Sequence, residues 1–321
     1  MVKLNWGIVG LGRIATSFAE DFPRSAQNLY GAAARDQNRA NAFAKEHDIP
    51  HAFGSYASMF ADPNVNVVYI ATPHPFHYAQ IKAALLAGKH VLAEKSITLN
   101  SDQLQELIDI ARSKHLILME AQTIYHMPLY HTILEHASVN DLGDLKTIQV
   151  TFGSYVPNDP NDRLLNIALG GGALLDIGVY ALSFARRFTG SPLHLLATQM
   201  TPTRTGVDGQ SSFLLSSGNG TQITVALNLQ AKMPKRGLVV FNRGFYTVDQ
   251  YPRADKATFT TPELKSSTVA AGATKDALPQ EVIDMAAAVE TGENPTLAWT
   301  SNVMDIMTAA RQEWGFKYPA E

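Results

Sequence analysis

Between Leu4 and Ala121 the chain alternates short apolar runs with stretches of helical spacing, and this alternation constrains its fold more than any other feature. The runs are Trp6–Val9, Leu29–Ala34, Val65–Ala71, His90–Ala93 and Leu116–Met119. Between them, Ile81, Ala84, Leu85 and Ala87 share one helical face, and Leu104, Leu107, Ile108 and Ala111 share another. Asn100 followed by Gln103 reads as an N-cap with a capping-box partner. Strand and helix in strict alternation imply a parallel sheet with helices on both faces, and continuous apolar runs suit strands buried on both sides. After about residue 144 the period becomes two: Ile148, Val150 and Phe152 alternate with polar neighbours, as do Ile223, Val225, Leu227 and Leu229. Ser217–Gly220 and Asn242–Gly244 read as hairpin turns, so this half is expected to be an antiparallel sheet. Helices are expected at about 170–188, 278–291 and 299–314, and the small residues of Ser266–Ala273 read as a mobile loop. The expectation is an α/β protein of two domains, 1–121 and 122–321.

Composition narrows the function classes. With 321 residues and 45% hydrophobic content there is apolar material for two cores. Lys and Arg number 26 against 29 Asp and Glu, a net charge of -3, which argues against nucleic-acid or anionic-membrane partners. Cysteine is absent, so disulfides, thiol catalysis and cysteine–zinc sites are impossible. No apolar run is read as approaching the ~20 residues of a membrane span. Met1–Gly12 shows no secretory leader, and the expected compartment is the cytoplasm.

Gly10-Leu11-Gly12-Arg13-Ile14-Ala15 follows the first strand and opens a helix. A G-x-G-x-x-A element in that context is a dinucleotide fingerprint, which makes the first domain a Rossmann, doubly wound sheet. Gly10 allows the tight turn, Gly12 leaves room for a pyrophosphate, and Ala15 lets the helix lie near the strand. Arg13 and Ile14 complete the binding turn, and the helix N-terminus offers free N–H groups to the phosphates. After the second strand an NAD site usually carries an acid for the ribose hydroxyls; here Ala34 is followed by Arg35, with Arg39 one turn on. Two cations at the ribose end favour NADP over NAD. Asp36, the competing acid, stands one place late and reads as a helix cap.

The chemistry-bearing residues come next. Thr72-Pro73-His74-Pro75-Phe76-His77 follows the third run, at a strand end where a nicotinamide would lie. His74 and His77 form H-x-x-H, but no further ligand follows at metal-binding spacing, so no metal is expected. His77 also reads as a cap for the following helix. Glu94 and Lys95 end the next strand and point into the same crevice. Gly170-Gly171-Gly172 precedes a helix carrying Asp176 and Tyr180, four apart and so on one face. Free tyrosine titrates near ~10, too high for a base at neutral pH, and a nearby ammonium favours the phenolate. Lys95, Tyr180 and Asp176 are therefore the candidate catalytic group for taking a hydroxyl proton as hydride leaves carbon. A plain packing aromatic is the competing reading of Tyr180.

Together GLGRIA, ARDQNRA, ATPHPFH, AGKHVLAEK and GGGALLDIGVY resemble the Gfo/Idh/MocA oxidoreductase family, and within it the dihydrodiol and NADP-dependent D-xylose dehydrogenase branch. The resemblance implies a Rossmann domain followed by an α/β domain with an open, mostly antiparallel sheet that commonly supports dimers. It implies that Lys95, Asp176 and Tyr180 are the catalytic set, that Arg35 and Arg39 meet a 2′-phosphate, and that Arg163 lies on the substrate side with Lys95, Asp176 and Tyr180. Two positions depart from the family pattern: Ser96 stands where proline usually follows the lysine, and Tyr125 where an arginine is usual. The expected function is an NADP-dependent oxidoreductase acting on a sugar-like alcohol: an aldose, a polyol or a dihydrodiol. Its partners would be that small molecule and a second copy of the chain. The alternatives are an NADP-binding sensor without chemistry and a homologue that has lost its activity.

Overall fold

In the computed structural model, residues 2–157, 159 and 162–321 are described. The chain divides into two compact units, Met1–Ala121 with Lys275–Ala298, and Gln122–Thr274 with Trp299–Glu321.

In the first unit, strands β1 (Asn5–Val9), β2 (Asn28–Ala33), β3 (His51–Phe53), β4 (Val67–Ile70), β5 (His90–Glu94) and β6 (Leu118–Ala121) alternate with helices α1 (Arg13–Asp21), α2 (Gln37–Glu46), α3 (Tyr56–Ala61), α4 (His77–Leu86) and α5 (Ser101–Ser113). The sheet runs β3-β2-β1-β4-β5-β6, every pair parallel. The order reverses between β1 and β4, the point outside whose strand ends a doubly wound sheet keeps its crevice. All four residues of β4 are fully buried, as an unbroken apolar run in a two-sided sheet requires. One side of the sheet is packed with aromatics: Phe18 stacks on Tyr69 at 3.8 Å, and Trp6 closes edgewise on Phe22 at 5.9 Å. The Asn100 side chain accepts the Gln103 N–H at 2.9 Å, and Gln103 Oε1 accepts from Leu99, one residue ahead of the cap. β3 and α3 are short and partly exposed at the sheet edge, too weakly patterned to be read from sequence.

The second unit begins with α6 (Thr123–His126) and α7 (Pro128–Val139), followed by β7 (Leu145–Gly153) and α8 (Val179–Phe188), the latter led in by a π-turn at Leu174–Gly178. Strands β8 (Leu193–Pro202), β9 (Asp208–Ser217), β10 (Gln222–Asn228), β11 (Met233–Phe241), β12 (Gly244–Asp249), β13 (Lys256–Thr260) and β14 (Ser266–Ala270) complete an eight-stranded sheet, ordered β14-β13-β12-β11-β7-β10-β9-β8. Only β7 and β10 pair in parallel. Ile148, Val150, Phe152, Ile223, Val225 and Leu227 face the covered side, as their alternation requires. α8 lies on that side, with the Phe184 ring seated over Gly237, where a Cβ would come within 2.2 Å of it. Gln149, Leu214 and Thr224 face outward along a groove on the other side.

Three expectations are corrected. Ser266–Ala273 is a loop only from residue 271 on: Ser266–Ala270 pairs with β13, and as the edge strand it buries only Val269, so its serines never needed to be apolar. The stretch Ile167–Phe188 is long and apolar enough to cross a membrane by length and composition, although most of it is buried inside its unit as a core helix. Residues 275–298 group with the first unit rather than the second, because α9 (Ala277–Thr291) adds Val282, Met285, Ala286 and Ala288 to the first unit's core. From Trp299 onward, α10 (Leu297–Glu313) belongs to the second unit.

Candidate active site

The glycine turn between β1 and α1 is shaped by two different needs. Gly10 has φ +87°, and a Cβ there would lie 2.6 Å from Thr72 Cγ2 and 3.0 Å from the Ala71 backbone. Gly12 has ordinary φ, and a Cβ there would meet nothing within 4 Å. The protein therefore does not need glycine at position 12 for its own packing; the open space is what a pyrophosphate requires. No side chain caps the start of α1, so its first N–H groups face that space. Arg13 is exposed and Ile14 half-buried at the turn, while Ala15 is fully buried where helix meets sheet. These residues fit a dinucleotide.

At the end of β2, Arg35 is exposed. Asp36 caps α2 by accepting the Arg39 N–H at 2.8 Å, so its carboxylate is engaged where the sequence placed it. The Arg39 guanidinium donates to Leu11 O at 2.8 Å, bringing a second cation to the glycine turn.

After β4, the turn Thr72–His77 is tied to the end of β5. His74 Nε2 pairs with Lys95 O at 3.1 Å; the His77 ring lies between Thr72 O at 2.6 Å and Ser96 O at 3.0 Å. His77 is fully buried, and burial pushes its pKa down against the pull of those carbonyls. It neither caps α4 nor presents a surface to a ligand; it reaches the site only through the backbone it holds. Pro73 and Thr72 remain half-exposed on the turn, and Thr72 Oγ1 donates to Gln80 at 2.6 Å. Tyr69 donates to Glu94 from the neighbouring strand. Lys95 is half-buried, and the Lys95–Ser96 peptide is cis. Among the described residues no group of three or more potential ligands is placed to hold a metal.

In the second unit the three glycines do permit close approach, but to the chain itself. Gly171 N–H donates to Asn166 O at 2.9 Å and Gly172 N–H to Leu164 O at 2.8 Å. A Cβ on Gly171 would lie 2.6 Å from Leu164 O, and one on Gly172, at φ +116°, would lie 2.0 Å from Asp208 Oδ1. Asp176 follows in the π-turn and meets Arg163 at 3.6 Å, a half-exposed pair that orients more than it stabilises. Tyr180, in the first turn of α8, lines an open cleft with Phe152, Lys235, Asp249, Arg253 and Asp255. Its ring lies 6.3 Å from that of Phe152, over which Lys235 Nζ sits at 4.7 Å. Asp249 is held by a two-pronged pair with Arg236, and Asp255 accepts the Thr274 N–H. Tyr125 is buried and donates to Ser183 at 2.9 Å, so the position of the expected arginine is spent on packing. Asp208, Lys235 and Arg253 were not read from the sequence; they lie on separate sheet strands and turns with no local motif.

A doubly wound sheet with a dinucleotide turn, joined to a mostly antiparallel sheet bearing an Asp, an Arg and a Tyr at a glycine-led helix, defines a class of nicotinamide-dependent oxidoreductases. Residues 4–122 match the GFO_IDH_MocA model, described as an oxidoreductase family with an NAD-binding Rossmann fold, and residues 130–247 match the GFO/IDH/MocA C-terminal domain. The chain is 38% identical over 236 residues to trans-1,2-dihydrobenzene-1,2-diol dehydrogenase of Sus scrofa, covering 72% of this chain and 70% of that one. To the Homo sapiens protein of the same name it is 39% identical over 218 residues, 67% and 65% of the two chains. It belongs to the Gfo/Idh/MocA oxidoreductase family. Its fold is shared by a levoglucosan dehydrogenase solved with NADH and levoglucosan (TM-score 0.86, 19% identity, 99% and 100% coverage). It is shared also by a 3-ketoreductase of Actinomadura kijaniata solved with NADP (TM-score 0.83, 22% identity, 97% of each chain).

Proposed function

We propose that the protein is an NADP-dependent dehydrogenase that oxidises a secondary or anomeric alcohol of a sugar-like polyol or dihydrodiol. The observation that carries this reading is Tyr180: its side chain opens on a cleft, four residues after an Asp176 held by Arg163. The bound nicotinamide supplies the chemistry of accepting or returning a hydride. Lys95 orients and polarises the reacting hydroxyl. Tyr180 exchanges its proton, and Asp176, steadied by Arg163, tunes the pair. Gly10, Gly12, Arg13, Ile14 and Ala15 hold the pyrophosphate end, and Thr72, Pro73, His74 and Glu94 wall the nicotinamide end. The relatives named for dihydrodiol and levoglucosan oxidation support this substrate class. We take the working form to be a homodimer paired through the outward sheet face carrying Leu214.

NADP is favoured over NAD because Arg35 is free of the cap that engages Asp36, and Arg39 reaches back to the glycine turn. Arg35→Ala should weaken NADP at least about tenfold and leave NAD within about threefold, measured by titration calorimetry. Equal loss for both cofactors contradicts the assignment. The activity itself is tested by mixing the protein with NADP and a panel of aldoses, polyols and dihydrodiols while following absorbance of the reduced nicotinamide. A flat trace across the panel with tight NADP binding would instead favour a sensor.

A further inference from the structure

Behind the three glycines lies a buried carboxylate with no part in the chemistry above. Asp208, the first residue of β9, is 1% exposed. Its Oδ2 accepts the Leu174 N–H at 2.6 Å. Leu174 opens the π-turn that continues without a break into α8, so this acceptor sits at the N-terminus of the helical run that carries Asp176 and Tyr180. A carboxylate there satisfies a donor the helix cannot and faces the positive end of its dipole. The other oxygen, Oδ1, occupies the place a side chain on Gly172 would need. Glycine at 172 is thus the complement of Asp208, which sets the spacing between loop and strand.

A second layer locks the pair from behind. Tyr318 donates to Gly171 O at 2.9 Å. Arg311, from α10, stacks on the Tyr318 ring at 5.1 Å and forms a two-pronged, almost fully buried pair with Glu321. Of the charged groups packed here, Arg311 acts on Asp208 directly, while Glu321 is neutralised by Arg311. A buried acid is expensive to keep, and hydrophobic replacement would be the ordinary solution if stability alone were at stake.

We propose that Asp208 is a positioning residue: its carboxylate, seated against Gly172 and bonded to Leu174 N–H, fixes the start of the helical run and thereby the aim of Asp176 and Tyr180. This rests on the proton-transfer roles assigned above to Asp176 and Tyr180, but the geometry it asserts lies wholly within one unit and can be measured without turnover. Burial pushes the Asp208 pKa up to about 7 against the lowering pull of Leu174 N–H and Arg311; a carboxyl protonated on its other oxygen still offers Oδ2 to Leu174 N–H.

The test compares Asp208→Ala with Asp208→Asn in the full chain, the second keeping an acceptor oxygen in place. Amide hydrogen exchange in residues 170–180 should quicken at least about tenfold in Asp208→Ala, while β10 and β11 keep their protection. In the same variant kcat should fall at least about tenfold with KM for NADP unchanged, and Asp208→Asn should restore both readouts to within about threefold of the parent. Wild-type exchange in Asp208→Ala overturns the proposal. So does equal disruption by Asp208→Asn, and so does quickening spread evenly over the whole sheet. If Asp208→Ala does not fold, Asp208→Ser, too short to reach Leu174, is read in the same way. A parent protein that oxidises no alcohol in the panel refutes the dehydrogenase reading alone, and the exchange comparison still decides whether Asp208 holds the helix.

Discussion

Gly10 and Gly12 stand two residues apart in one motif, yet the space beside each has a different owner. A Cβ on Gly10 collides with Thr72 and the Ala71 backbone, whereas one on Gly12 enters a void. Gly12→Ala should therefore cost no more than about 1 kcal/mol of stability, the ordinary loss at a helix N-cap. Its NADP affinity should nevertheless fall at least about tenfold. Denaturant titration beside calorimetry separates the two effects, and intact NADP binding in this variant would show that the void is not the phosphate site. Asp208 gives a second residue-scale prediction, in pH. Burial raises its pKa from the ordinary carboxylate range to about 7, so the native state binds an extra proton at pH values between the two. Stability from this group is then present at the acid end and is lost as pH rises from about 4 to about 7. Denaturation midpoints of the parent protein minus those of Asp208→Asn should fall across that window and level off above it. A flat difference would mean that the carboxyl titrates normally. Gly10 and Gly12 were legible because a motif marks the turn they build, and Lys95 and Tyr180 are proposed on a motif and a spacing. Asp208 was not, because its partners Leu174 and Gly172 lie some thirty-five positions back in the chain.

At the scale of elements, the strands buried on both faces announced themselves. β1, β2, β4 and β5 fall within a residue or two of the runs Trp6–Val9, Leu29–Ala34, Val65–Ala71 and His90–Ala93. A two-sided apolar environment leaves no freedom in composition, so such strands cannot hide. β14 stayed hidden for the converse reason: an edge strand with one buried side chain bears almost no pattern. The π-turn was also invisible, since Leu174–Gly178 reads as plain helix and its widening depends on what packs behind it. α8 is set on its sheet by Phe184 over Gly237, a contact no local window reveals. Gly237→Ala drives a methyl into that ring and should destabilise by about 1–3 kcal/mol in thermal or chemical denaturation, the usual cost of overpacking. No change in midpoint would mean that α8 is free to shift.

For the molecule as a whole, the change of period near residue 144 and the end of β6 at Ala121 marked the division, but α9 escaped it. Its apolar face is indistinguishable in sequence from that of any amphipathic helix, and only the core it joins assigns it to the first unit. The proposed reaction asks Lys95, which follows β5, to polarise the substrate hydroxyl and Tyr180, in α8, to exchange its proton. Lys95→Met and Tyr180→Phe each remove one of these groups with little change in volume. The decisive measurement is steady-state turnover of both variants with the best alcohol of the panel, alongside their NADP affinities. Each should lose at least about a thousandfold in kcat, with NADP binding kept within about threefold of the parent. Turnover within about tenfold of the parent in either variant would contradict the proton-transfer pair.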